Sequence, residues 1–176
     1  MLHLVPFYCG AGTDLMARLA DRLSTTFGVR VKQRRPSFDP EMAFDASRGQ
    51  YNSRILLAQL LRHAPDDSTR VLGVSALDLF IPVLTYVFGE AQLGGRVAVV
   101  STHRLDNALY GLPAEPNLLF ERLSKEAIHE LGHTYSLVHC HDMACVMTSS
   151  MQVDGIDIKS DRFCSRCVRE MENNGG

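Results

Sequence analysis

An α/β domain built on a mixed sheet is predicted, and three observations predict it. Strand and helix patterns alternate along the first 140 or so residues. A Gly94-Gly95 pair separates two β-rich runs, as in a hairpin. Beyond residue 140 thiols, Gly and Asp take over, so the last quarter reads as a small appended region. At 176 residues, 45% apolar and 22% charged, the chain is long enough to bury one core. A single domain over 1–176 is expected, with an N-terminal part over 1–139 and a C-terminal part over 140–176.

The first element, Leu2 to Tyr8, reads as a buried strand. Thr13 or Asp14 can cap the helix that follows, whose Leu15, Leu19, Leu23 and Phe27 recur every four residues; Gly28 suits the position just past its end. Val29 to Gln33 alternates apolar and basic residues, giving an outer strand with one wet face that Arg34 and Arg35 extend. Gln50 to Ala64 reads as a second helix, stopped by Pro65. Arg70 to Ala76 is a short apolar run, read as a central strand. Leu84 to Phe88 and Arg96 to Ser101 form the hairpin, so an antiparallel pair joins otherwise parallel strands. A long helix starts near Pro116 or Asn117 and runs through Glu130 to about Tyr135.

Composition removes several function classes. Net charge is −2 and the pI near 6.4, so there is no general attraction to nucleic acid or anionic membrane. The longest uncharged apolar stretch, Leu79 to Gly89, is eleven residues, against the roughly 18 that a spanning helix needs. The amino-terminal MLHLVPFYCGAGTDLM lacks a basic n-region and meets Asp14 early, so it does not read as a signal peptide; a cytoplasmic location is expected.

The informative segment is HELGHTYSLVH. His129 and His133 are four residues apart on the last predicted helix, which brings both imidazoles to one face while Ala127 and Leu131 turn to the core. Glu130 stands about 100° round the wheel from His129, the general-base position of an HExxH zinc hydrolase. His139 is the candidate third ligand. In a continued helix it would lie about 9 Å further along the axis and on another face, so the helix must end between His133 and His139. Three histidines on zinc leave a fourth position for a water whose pKa falls to about 7, and peptide-bond hydrolysis is the reaction class expected.

Four of the five cysteines, Cys140, Cys145, Cys164 and Cys167, fall within 28 residues. Their C-x4-C and C-x2-C spacing fits a structural four-thiolate zinc site, closed to water, and a reducing compartment favours metal over disulfides. Two zinc ions per chain are therefore expected, one catalytic and one structural.

HExxHxxxxxHC, followed by Cys145, Met147 and a distal CxxC, together with the FGEAQ stretch at Phe88 to Gln92, resembles the archaemetzincins, a metzincin-like zinc peptidase family. The resemblance implies a twisted five-stranded mixed sheet backed by two helices, with the active-site helix below a cleft. It implies an antiparallel edge strand, here Thr85, Tyr86, Val87, Phe88 and Gly89, along which an extended peptide or protein substrate lies. Met147 matches the family's Met-turn, a support packed beneath the histidines. One residue departs from the pattern: Ser136 stands where the family has Gly. That glycine lets the chain turn through positive φ, so a strained turn is expected at Ser136, at a cost of roughly 1–2 kcal/mol.

A non-hydrolytic, zinc-stabilised peptide-binding module is the alternative, and the intact Glu130 argues against it, because a pure binder needs no general base. Bland readings suit the remaining residues. His3, His63 and His103 are isolated; His141, Asp142, Asp154, Asp157 and Asp161 lack an EF-hand spacing and read as solvated loop groups; Cys9 reads as a buried strand-end thiol. Tyr110 and Tyr135 are candidates for stabilising an oxyanion.

Overall fold

The computed structural model describes residues 1–9 and 13–174. Strands β1 (Leu2–Phe7), β2 (Val31–Gln33), β5 (Arg70–Ser75) and β8 (Val97–Ser101) run parallel, and β7 (Gly89–Ala91) pairs antiparallel with β8. The order β2-β1-β5-β8-β7 is the five-stranded mixed sheet that the resemblance implies, with β5 central and β2 an outer strand as the residue pattern predicts.

Side chains alternate across this sheet, and helices cover both faces. Leu2, Leu4, Leu72, Val74, Ala98 and Val100 pack with Met16, Leu19 and Leu23 of α1 (Thr13–Phe27) and with Leu123, Ala127, Ile128 and Leu131 of α3 (Pro116–Thr134). On the other face Val5, Phe7, Val71, Val97 and Val99 meet Leu56, Leu57 and Leu60 of α2 (Ser53–Arg62). Gly28, at φ +63°, ends α1 as expected. Of the two expected caps, Asp14 sits inside the first turn of α1, and the side chain of Thr13 lies outside the described residues. No helix is long and apolar enough to cross a membrane among the described residues.

Two boundaries differ from the sequence reading. Residues 50–52 are not helical: β4 (Gln50–Asn52) pairs with β3 (Phe44–Asp45) and with β6 (Leu79–Phe80) in a second, three-stranded sheet. Asn52 then caps α2 by accepting from the Arg54 N–H at 3.1 Å. The expected edge strand at 84–88 begins instead at Gly89. The upstream backbone is already engaged: the carbonyls of Leu84 and Thr85 accept from Arg48, and the Val87 N–H donates to Leu79.

The C-terminal residues join the same core. Cys140, Cys145, Val146, Met147, Ile156 and Cys167 pack into the α1/α3 side. Asp157, on α4 (Val153–Ile158), is held bidentate by the buried Arg122 of α3 at 2.7 and 2.8 Å, and Asp161 pairs with Arg22 of α1. Neither is the solvated loop charge that the sequence suggests, because each neutralises a cation from a distant helix. Helix α5 (Ser165–Asn174) ends the described chain.

Candidate active site

The last two turns of α3 place His129 and His133 side by side, and the chain beyond folds His139 back onto them. Ring centroids of the three imidazoles lie 4.7 to 5.3 Å apart. His129 and His133 each direct Nδ1 at a backbone carbonyl, Val146 at 2.9 Å and Leu137 at 2.7 Å. A carbonyl only accepts, so both protons sit on Nδ1. The two Nε2 atoms therefore face each other at 3.1 Å, lone pair to lone pair. That contact is repulsive unless a cation lies between them. Tetrahedral zinc with bonds of about 2.0–2.1 Å separates its nitrogen ligands by about 3.3 Å, so the donor set fits. Burial lowers the basicity of all three rings, most strongly that of His129, where the Lys159 charge adds to the effect. The neutral form that binds metal is thereby favoured.

The return of His139 depends on how α3 ends. Ser136 N–H donates to the His133 carbonyl at 2.9 Å and Leu137 N–H to the Gly132 carbonyl at 3.2 Å, the two bonds of a Schellman cap. Its left-handed residue is Ser136, at φ +66°. The strained turn expected from the missing glycine is present. Gly94 accommodates it: a side chain there would begin 2.8 Å from the Ser136 hydroxyl.

Glu130 is buried and lies against β7. A Cβ on Gly89 would stand 2.7 Å from Glu130 Cγ and 2.9 Å from its Oε1, so only glycine lets the strand pass this close. Burial, then the neighbouring charge of Glu126, pushes the Glu130 carboxyl well above the carboxylate range, with Lys159 opposing. Met147 packs beneath the helix, fully buried, and a Cβ at Gly132 would fall 2.5 Å from its sulfur.

Immediately after His139, Cys140 opens a second cluster. The sulfurs of Cys140, Cys145, Cys164 and Cys167 lie within 4.8 Å of one another, with Cys140–Cys164 and Cys145–Cys167 both at 3.8 Å. A disulfide needs about 2.05 Å, so these are free thiols. The spacing equals the edge of a zinc–thiolate tetrahedron with bonds of about 2.3 Å, roughly 3.8 Å. Arg166 and the backbone N–H groups of Asp142 and Cys164 donate to Cys140 or Cys145 sulfur at 3.2 to 3.4 Å.

A cleft of about 540 Å³ opens onto the histidines and Glu130, lined by residues 84–91, by residues 149–152 and by Glu126, His129, Glu130, His133 and His139. The three histidines, Glu130 and residues 88–91 of the pattern that carried the resemblance thus line one cleft, with the four thiols outside it. A model of peptidase family M54 matches residues 21–173. The chain belongs to peptidase family M54. It is 42% identical to the archaemetzincin of Methanopyrus kandleri over 163 residues, 92% of this chain and 89% of that protein. The crystal structure of that archaemetzincin superposes with a TM-score of 0.86 at 41% identity, covering 98% of this chain and 93% of the other. A zinc-dependent peptidase from Methanocorpusculum labreanum superposes at 0.84 with 28% identity, covering 97% and 100%. As a member of M54 the chain is an archaemetzincin-like metallopeptidase.

Other residues of this M54 peptidase fall into place around the cleft. Thr85, Tyr86, Val87, Phe88 and Gly89 all line it, although only Gly89 lies in the edge strand. Glu90, from the FGEAQ stretch, lines it as well, as do Glu126 and residues 149–152, which carry no sequence signal. His3, His63, His103 and His141 lie outside it, as do Tyr110, which donates to the Arg104 carbonyl, and Tyr135, which stacks on Phe27. Cys9 donates to the Val74 carbonyl at 3.1 Å, and burial pushes its thiol up to about 11, which suits a strand-end thiol and no nucleophile.

Proposed function

We propose that this M54 peptidase hydrolyses peptide bonds at a zinc ion held by His129, His133 and His139, with Glu130 as general base. The observation that carries the reading is the pair of Nε2 atoms 3.1 Å apart with both Nδ1 atoms engaged on carbonyls. When bound, zinc supplies Lewis acidity and a water acidic enough to attack near neutral pH. Glu130, turned toward Gly89, takes a proton from the attacking water and returns it to the leaving amine. Its buried setting raises its proton affinity, which suits a carboxylate that must accept and then release.

Strand β7 supplies the substrate's seat. The Ser101 N–H donates to the Phe88 carbonyl and the Gln92 N–H to the Val97 carbonyl, so residues 88, 90 and 92 face β8. Gly89 and Ala91 turn their N–H and C=O groups to the open edge, where an extended peptide adds as a further strand. Cys140, Cys145, Cys164 and Cys167 hold a second zinc that staples the C-terminal residues and takes no part in the reaction.

The test combines metal analysis with a peptide-library digestion. Two zinc ions per chain are expected, one removed by mild chelation and one retained by the thiolates. Glu130→Ala should keep both and lower turnover by about 10²-fold or more. Unchanged turnover removes Glu130 from the mechanism. If the zinc-loaded wild type binds peptides and cleaves none, the binding-module reading replaces hydrolysis.

A further inference from the structure

Tyr86 spans the cleft. Its hydroxyl donates to the Met151 carbonyl at 2.8 Å, joining the stretch that leads into β7 to the stretch that follows Met147. The ring is held from two sides. Phe88 meets it edge to face at 5.6 Å, and the Arg104 guanidinium lies 4.1 Å over it. Arg104 is fixed in turn by both oxygens of Asp78 at 2.6 and 2.7 Å. The bridging side chain is thus preorganised and its crossing is not a chance surface contact.

Its position relative to the reacting groups sets a length. Gly89 marks Glu130 along the groove, and Tyr86 comes three residues earlier. Three residues of chain span at most about 10 Å, so the bridge stands within that distance of the bond to be cut, room for at most about three substrate residues. Antiparallel addition to β7, the more stable pairing, places the carboxyl side of the cut bond at this end. We propose that Tyr86, held on Met151, closes the carboxyl-side end of the groove, so that the enzyme releases short carboxy-terminal fragments of about three residues or fewer. This deepens the peptidase reading above and rests on it. Past Ala91 the Gly94 N–H donates to the His133 carbonyl at 2.9 Å, a backbone contact that carries no side chain across the cleft, so extension on the amino side is tolerated.

The experiment uses zinc-loaded protein and two peptide series of one core sequence, extended by one to eight residues on either the carboxyl or the amino side. Two readouts are taken: turnover by the wild type with product termini identified, and binding of fluorescent peptides to Glu130→Gln. The expected result is a fall of about tenfold or more in kcat/KM and in affinity once the carboxyl-side extension passes three or four residues, with little change on the amino side; tenfold corresponds to about 1.4 kcal/mol. Tyr86→Phe, which keeps the ring on Phe88 and Arg104, and Tyr86→Ala should each relieve that fall. Equal handling of long carboxyl extensions by the wild type, or an unrelieved fall in both variants, overturns the proposal. If nothing is cut, the hydrolytic reading fails, while the binding series still decides the length limit.

Discussion

Lys159 is buried with its ammonium 2.8 Å from a carboxylate oxygen of Glu126, one helical turn before Glu130. The same ammonium donates to the Thr148 carbonyl at 3.1 Å. Thr148 follows Met147, and the preceding Val146 carbonyl holds the His129 ring. One cation therefore ties the segment beneath the histidines to the helix that carries them.

Breaking this pair should be costly. Lys159→Met keeps the aliphatic stem and leaves the Glu126 carboxylate buried without a counter-charge, for a loss of about 3–5 kcal/mol in denaturant titrations of the zinc-loaded protein. Adding Glu126→Gln should restore most of that. A double variant no more stable than the single one would show that pairing is not what Lys159 contributes.

At the end of α3, Ser136→Gly removes a side chain from a left-handed residue. Relief of strain, about 1–2 kcal/mol, is opposed by the greater freedom of glycine in the unfolded chain, about 0.4–1 kcal/mol. Stability should hold or rise by up to about 1.5 kcal/mol. Paired denaturant curves, apo and zinc-loaded, check this; a loss in both forms would mean that the turn is not strained by its side chain.

The thiols should divide into one and four. With zinc bound, alkylation at pH 8 should leave all five cysteines largely unmodified; after strong chelation four should react, and Cys9, held near a pKa of about 11 by burial, should lag. Its rate should climb about tenfold per pH unit until the thiol ionises. Folding shows the same sign. The raised value contributes stability that is present below the unfolded thiol pKa and is lost as pH rises toward 11, a loss that Cys9→Ala should abolish. Rapid labelling of Cys9 in the folded apo protein would contradict its burial.

Gly132→Ala places a methyl 2.5 Å from the Met147 sulfur. Overpacking costs about 1–3 kcal/mol and the better helix former returns up to about 1 kcal/mol, so a net loss is expected. Faster zinc release from the chelatable centre should accompany it, read by a chromogenic chelator in stopped flow. A variant as stable as the wild type with unchanged release would show that Met147 moves aside freely.

Residues that act through local spacing were legible in the sequence. His129 and His133 share a helical face by arithmetic alone, and His139 announced the end of α3 because no continued helix could bring it back. Residues whose roles depend on distant partners were not. Gln50 to Asn52 continue the α2 pattern, yet pairing with Leu79 and Phe80 extends them. The edge strand slid from Thr85 to Gly89 because β8 sets its register and Arg48 occupies the carbonyls upstream. Nothing in the sequence singles out Lys159, since Glu126 lies 33 residues before it. The resemblance places Tyr86 on the substrate's edge strand; its bridge to Met151, 65 residues away, has no mark in the sequence.

Both margins of the main sheet are three residues long: β2 on one side, where Lys32 and Gln33 are exposed, and β7 on the other. A margin that short is a poor template for another copy's sheet, and a lysine on it adds a charge to be desolvated. The edge proposed as the peptide's seat can thus stay open in a concentrated solution without seeding aggregation. It also recognises only chain that arrives extended with its own N–H and C=O groups unengaged, so compactly folded proteins offer this edge nothing to pair with.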